Sequence, residues 1–302
     1  MTLEQLRIFV AVAEREHVTR AAQAINITQS AASSAVAAIE ARYKTTLFHR
    51  IGRRIELTEA GRLFLVEARG VLARAAAAER VLNDLAGCLR GSLALHASQT
   101  IANYWLPPLM YRFRLAHPGV TLQLAIGNTE QVAAAVREGI ADLGFAEGEI
   151  DDPALSRQAI EGDELVLVVG GRHAWGDRKD VGPQDLSQVS WVLRERGSGA
   201  RAVFEDALSN LGLDPSTLLI SLELPSNEAV CAAVQAGAGA TAISNLVVGP
   251  WLQAGTLRAV PLPLPKRHFS ILRHRERAAS HAERALLDLI LKERSISSIE
   301  TI

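Results

Sequence analysis

VTRAAQAINITQSAASSAVAAIE, residues 18–40, reads as two short helices joined by a tight turn. Thr19 stands where a hydroxyl can cap the first helix, and Ala22 and Ile25 face inward from it. Asn26 falls in the turn, Thr28 caps the second helix, and Ala32, Val36 and Ile39 repeat at helical spacing. The other face of that second helix carries Gln29, Ser30, Ser33 and Ser34. Short polar side chains of this kind suit close approach to base edges and phosphates. A helix-turn-helix lays such a helix in the major groove of DNA. Alanine-rich helix pairs also occur in enzyme cores, so this segment alone favours DNA only modestly.

LFHRIGRRIELTEAG, residues 47–61, strengthens the case. Leu47 and Phe48 form an apolar anchor, basic residues surround Gly52, and a short strand follows. Arg50, Arg53 and Arg54 are expected on a hairpin wing, where arginines suit phosphate contact or a narrow minor groove. A solvated basic loop is the bland alternative, and its position directly after a helix-turn-helix weighs against it. Thr58 caps the next helix, which begins Glu59-Ala60-Gly61.

The three stretches TLEQLRIFVAVAE, TRAAQAINITQSAASSAVAAIE and LFHRIGRRIELTEAG together resemble the amino-terminal domain of LysR-type transcriptional regulators, over roughly the first 65 residues. The family often has proline where Ser30 stands and arginine where Ser34 stands. It commonly has glycine and proline at the positions of Lys44 and Thr46. The resemblance implies a ligand-responsive DNA-binding protein whose partners are promoter DNA, a small effector and RNA polymerase. The polar helix face and the basic wing give Thr28, Gln29, Ser30, Ser33, Ser34, Arg50, Arg53 and Arg54 as the expected DNA-contacting set.

Three hundred and two residues suggest two or three domains. Hydrophobic residues make up 48% and charged residues 22%, enough to bury sizeable cores. The net charge of −1 is unevenly spread: residues 1–90 hold 13 basic and 9 acidic residues, the remainder 19 and 24. A basic amino-terminal portion on an acidic remainder fits a DNA reader joined to something else. Cys88 and Cys231 are far apart and form no metal-ligand cluster, which points to a reducing compartment. No secretory signal and no apolar run of membrane-spanning length is visible, so a soluble cytoplasmic protein is expected.

Residues 58–88 read as one long helix, with Leu63, Val66, Val71, Leu72, Val81, Leu82 and Leu85 among alanines and arginines. A small-residue helix of this length suits pairing with a second copy. The resemblance implies the same, since LysR-type proteins dimerise through a linker helix and assemble to tetramers. Gly87, Gly91 and Ser92 mark a break. Beyond it, strands alternate with helices. GSLALHAS, VTLQLAIGN, ADLGFAEG, ELVLVVGG, WVLRE, LLISLELPS, GATAISNLVV, LRAVPLP and FSILRHRER read as strands. Helices are expected over 104–116, 129–139, 199–211, 227–236 and 280–293, and SISSIETI as a loose tail. The fold class is therefore α/β with an amino-terminal all-α winged helix-turn-helix. The expected domains are 1–58, a linker helix 59–90 and an effector-binding domain 91–302. The last divides into two Rossmann-like subdomains, 91–162 with 268–302 and 163–267, as in periplasmic binding proteins.

Ligands of open α/β sheets bind at the carboxyl ends of strands. Four such junctions carry polar residues: Ser98, Gln99 and Thr100; Asn128 and Thr129; Glu195, Ser198, Gly199 and Arg201; and Asn227. Hydroxyls, amides and free N–H groups at helix starts favour anions, and Arg201 or Arg194 is the candidate charge. Glu147 is expected to line the same cleft. Each residue singly is more often a plain helix cap. RERGSGAR followed by SNEAV resembles LysR-type regulators of sulfur and carbon assimilation. That resemblance implies a sulfur oxyanion or a phosphorylated metabolite as effector. With no Gly-Lys-Ser phosphate loop and no histidine pair at zinc spacing in the sequence, no cofactor and no metal are expected. A doubly wound enzyme with an accessory helical domain is the alternative, disfavoured because no acid, base and nucleophile set stands out. A purely architectural DNA binder is disfavoured by the ligand-sized α/β region.

Overall fold

The computed structural model describes residues 1–51, 54–85, 91–178 and 181–297. The expected positions of Arg53, Gly87 and Cys88, and the last residues of the tail, lie outside the described residues. Two compact units divide near residue 88.

In the first unit, α1 (Leu3–Arg15) opens on a capping box, with the Gln5 amide donating to Thr2 Oγ1 and the Thr2 amide to Gln5 Oε1. α2 (Val18–Ala24) is capped by His17, whose Nδ1 accepts from the Arg20 amide at 3.3 Å. Thr19 is thus not the cap. His17 already holds the extended backbone that a cap requires, and Thr19 falls inside the helix. Asn26 takes the left-handed conformation (φ 56°) that asparagine tolerates in a turn. α3 (Gln29–Tyr43) starts as expected, with Thr28 Oγ1 accepting from the Ala31 amide. Ala21, Ala22 and Ala32 are fully buried with Phe9, Val12 and Ile39, so small side chains let the helices approach closely. β1 (Phe48–Ile51) and β2 (Arg54–Leu57) pair antiparallel as the wing. Glu40 Oε1 accepts from the Leu47 and Phe48 amides and fixes the chain entering it. Thr58 then caps α4 (Glu59–Leu85) through the Gly61 amide at 2.9 Å. Leu63, Val66, Val71 and Leu82 are exposed along α4.

The second unit is one mixed sheet flanked by helices. Its first part comprises β3 (Gly91–Ser98), α5 (Leu106–Ala116), β4 (Val120–Gly127), α6 (Thr129–Glu138), β5 (Leu143–Glu147) and β6 (Leu155–Gly170). A π-helical turn, Ile101–Trp105, precedes α5. There follow α7 (Pro183–Gln188), β7 (Ser190–Arg194), α8 (Gly199–Asn210), β8 (Leu219–Leu224), α9 (Asn227–Gln235) and β9 (Ala240–Ser244). The chain ends through α10 (Asn245–Gln253), β10 (Leu257–Val260), β11 (Lys266–His274) and α11 (His281–Ser297). The strand order is β4-β3-β5-β11-β6-β9-β7-β8, with β10 on β6. β3 is parallel to β4 and β5, and β7 to β8 and β9; β11 and β6 run antiparallel between these groups.

Three expectations change, one of them at the end of the chain, where α11 runs on to Ser297 into the segment expected as tail. The strand expected at 164–171 begins at Leu155, so that it serves both halves of the sheet. NLVV, expected as strand, is helix, because Ser244 Oγ caps it by accepting from the Leu246 amide. β11 pairs β6 where the chain passes between the halves, with a register shift between Lys266 and His268. Gly162 sits at that bulge: a Cβ there would lie 2.3 Å from Arg267 O, so only glycine lets the two strands close up.

Candidate DNA-reading helix and effector cleft

The polar face of α3 has the geometry of a reading surface. Thr28, Gln29, Ser30 and Ser34 are exposed and Ser33 half-exposed. Gln29 Nε2 donates to Ser33 Oγ one turn away at 3.1 Å, and Thr28 and Ser30 share a hydroxyl hydrogen bond. Gln29 keeps its carbonyl oxygen and a second amide hydrogen for a base edge. Arg50 lies on β1, opposite Ile55, and the exposed Arg54 lies on β2.

In the second unit the strand-end junctions meet, but most of their donors bind each other. Gln99 Nε2 donates to Pro225 O at 2.7 Å, and its Oε1 accepts from the Asn227 amide at 3.0 Å. Asn227, fully buried, donates from Nδ2 to Thr100 Oγ1 at 3.2 Å and accepts from Arg194 Nη1 at 2.5 Å. Asn128 Nδ2 donates to Glu195 Oε1 at 3.3 Å. Tyr104 donates to Glu228 at 3.2 Å; burial and that carboxylate push its phenol up to about 12. Thr129 Oγ1 donates to Glu147 O at 2.9 Å, and a Cβ on Gly199 would sit 2.2 Å from the same carbonyl oxygen. The two halves of the sheet are therefore latched shut. A cavity of about 320 Å³ remains beside this contact, lined by Thr129, Glu147, Ser198, Gly199 and Arg201 among others.

Arg201, expected as the ligand's positive charge, is not free. It is buried and donates to Glu205 at 2.7 Å, Glu223 at 2.5 Å and Arg194 O at 2.9 Å. Burial opposes its charge, but the two carboxylates outweigh that and raise its pKa. Arg194, the other candidate, is bound bidentately by Glu195. Burial works to raise the Glu195 carboxyl, yet Arg194 and Asn128 hold it below the ordinary range.

A different arginine carries the buried polar centre. Arg267 donates from Nε and Nη2 to Asp163, and Asp163 also accepts from Ser244 Oγ. Arg267 Nη1 stands 3.8 Å from Glu147 Oε1. Four buried side-chain atoms in this region have no hydrogen-bond partner among the described residues: Arg267 Nη1, Glu147 Oε2, Ser98 Oγ and Ser270 Oγ. Ser270 pairs with Ala146 across the sheet, one position from the Phe269–Glu147 pair, so strand alternation puts it on the opposite face from Glu147. Sequence reasoning missed Arg267, Asp163, Ser244 and Ser270. One signal was present: Arg267 precedes Phe269 and Ile271 at period two, and Asp163 precedes Leu165, Leu167 and Val169 likewise. Both charges thus sit in register with core-facing positions.

Cys231 is buried, and burial with Glu228 pushes its thiol up to about 12. It stays protonated and is a poor redox nucleophile.

A reading helix with a wing, joined to a two-part α/β unit with a polar cleft, defines a ligand-responsive regulator of transcription. Residues 3–62 match the bacterial regulatory helix-turn-helix domain of the lysR family, and residues 86–295 match the LysR substrate binding domain. The chain belongs to the LysR family of transcriptional regulators, and is not an enzyme. It is 34% identical over 291 residues to the HTH-type transcriptional regulator YeiE of Escherichia coli K12, covering 95% of this chain and 96% of that one. It is 35% identical to a probable RuBisCO transcriptional regulator of Cyanidioschyzon merolae, covering 86% and 87%. Its fold matches full-length CbnR complexed with its target DNA at a TM-score of 0.69, with 23% identity and coverage of 97% and 99%. No helix among the described residues is long and apolar enough to cross a membrane.

Proposed function

We propose that this regulator senses a small anionic metabolite, a sulfur oxyanion or a phosphorylated compound, between the two halves of its α/β unit. The effector changes how the protein engages a promoter. The observation that carries this is a group of buried polar atoms without hydrogen-bond partners among the described residues: Ser98 Oγ and Glu147 Oε2 at the ends of β3 and β5, and Arg267 Nη1 beside Glu147. Such atoms are costly unless something satisfies them. Ser98, Thr100, Thr129, Ser198, Gly199 and Asn227 form the wall of the site, and Arg267 replaces Arg201 as its cation. The protein works in the cytoplasm as a homodimer assembling to a homotetramer, and contacts RNA polymerase at the promoter.

A panel of sulfite, sulfate, thiosulfate and sugar phosphates, read by thermal shift and then by promoter binding, tests the proposal. Replacing Ser98 and Thr129 together with alanine should abolish the ligand's effect on promoter complexes while leaving ligand-free DNA binding intact. A double variant that responds with unchanged ligand affinity would place the site elsewhere.

For DNA, Gln29→Ala should weaken binding to a cognate site by about 1–3 kcal/mol, the worth of a bidentate base contact. Arg54→Ala should weaken binding evenly across sequences and lower its salt dependence. Equal affinity of Gln29→Ala and parent at matched salt removes Gln29 from the readout.

A further inference from the structure

We infer that the effector is an oxyanion that carries its own proton, and that Glu147 selects it by accepting a hydrogen bond from the ligand's O–H while Arg267 donates to another of its oxygens. This rests on the cleft being the effector site. Glu147 and Arg267 are 3% and 5% exposed, so both polar groups are withdrawn from water. Arg267 Nη1 and Glu147 Oε2 each lack a partner among the described residues, and the two side chains approach to 3.8 Å through the other carboxylate oxygen. One free atom is a donor and the other an acceptor. A ligand that satisfies both must accept and donate within one small group.

Charge points the same way. Every buried arginine of the cleft already faces a carboxylate: Arg194 faces Glu195, Arg201 faces Glu205 and Glu223, and Arg267 faces Asp163. Glu147 is a further acid, and its arginine neighbour, Arg267 at 3.8 Å, is already bound by both oxygens of Asp163. A fully deprotonated oxyanion brought against it would set two acceptors facing each other, unscreened by water. A proton on the ligand turns that repulsion into a charge-assisted hydrogen bond. Sulfate has no such proton near neutral pH. Hydrogen phosphate has one, and sulfite exchanges one in the neutral range.

The test is calorimetry or thermal shift on the full chain with inorganic phosphate, sulfite and sulfate at matched ionic strength. Phosphate or sulfite should bind at least about tenfold more tightly than sulfate, the scale of one hydrogen bond to a charged group. Glu147→Gln offers an amide donor in place of the carboxylate and should narrow or reverse that preference. Should the variant fail to fold, a pH series on the parent serves instead. Sulfite binding should fall from mildly acidic to mildly alkaline buffer as its proton is lost, with phosphate holding. Sulfate binding the parent as tightly as phosphate and sulfite, or an unchanged preference in folded Glu147→Gln, overturns the inference. If all three anions bind alike and the Ser98/Thr129 double variant loses them, the anion site stands and only proton selection fails. If none of them binds, proton selection falls, and the anionic effector falls with it unless another member of the panel binds.

Discussion

Asp163→Ala should destabilise the α/β unit by about 3–5 kcal/mol, the cost of leaving one member of a buried ion pair without its partner. Asp163 binds Arg267 through both carboxylate oxygens and takes the Ser244 hydroxyl as well. Removing it leaves a guanidinium 2% exposed, with Glu147 at 3.8 Å as its remaining acidic neighbour. Asp163→Asn, which keeps the shape and one acceptor, should cost less. Denaturant unfolding followed by a probe in this unit reads both values. A change under about 1 kcal/mol for the alanine variant would mean that water or Glu147 takes over the arginine, and would remove the triad from the stability of the unit.

The second large effect concerns assembly. Val71→Asp with Leu82→Asp should convert the dimer to monomers at micromolar concentration. Along α4, Leu63 and Leu82 are 68% exposed and Val66 and Val71 46% exposed. Val71 and Leu82, about three turns apart, fall on one face of α4, and a solvated helix has little reason to keep them there unless a second copy covers them. Two aspartates in that seam would each bury a charge against apolar neighbours. DNA binding should fall with it, because one reading head engages only a half-site. Sedimentation that finds the parent monomeric, or the double variant still dimeric, defeats this.

The reading helix was legible because its signals are local: a threonine cap at 28, an asparagine turn at 26 and alanines at helical spacing. His17 displaced Thr19 as a cap because a ring nitrogen served as well as a hydroxyl, and the sequence does not say which of two polar residues flanking Val18 adopts extended backbone. The start of β6 was hidden because LSRQAIEGD has no period-two apolar pattern: its buried residues are Leu155, Ile160 and the charged Asp163, and Leu155 and Ile160 lie on opposite faces in different clusters. The strand-end junctions of the cleft were legible as polar clusters at helix starts. Their pairing was not. Whether Asn227 holds a ligand, Thr100 or Arg194 depends on which halves of the sheet meet, a tertiary fact without local trace. The same holds for the arginines: only the fold shows that Arg201 is bound by Glu205 and Glu223 while Arg267 keeps one nitrogen without a hydrogen-bond partner among the described residues.

The antiparallel ribbon of β6 and β11 has a mechanical consequence. Both passages of the chain between the halves run side by side and are hydrogen-bonded to each other, pinched at Gly162 against Arg267. A ribbon of this kind resists stretching and shear, since each would break its ladder, but yields to torsion. The softest deformation of the unit is then a rotation about the ribbon, with each half turning as a lever. A few degrees of twist at the pivot move the far ends of the levers by ångströms, and that displacement, rather than the width of the cleft, is the quantity a neighbouring subunit can read.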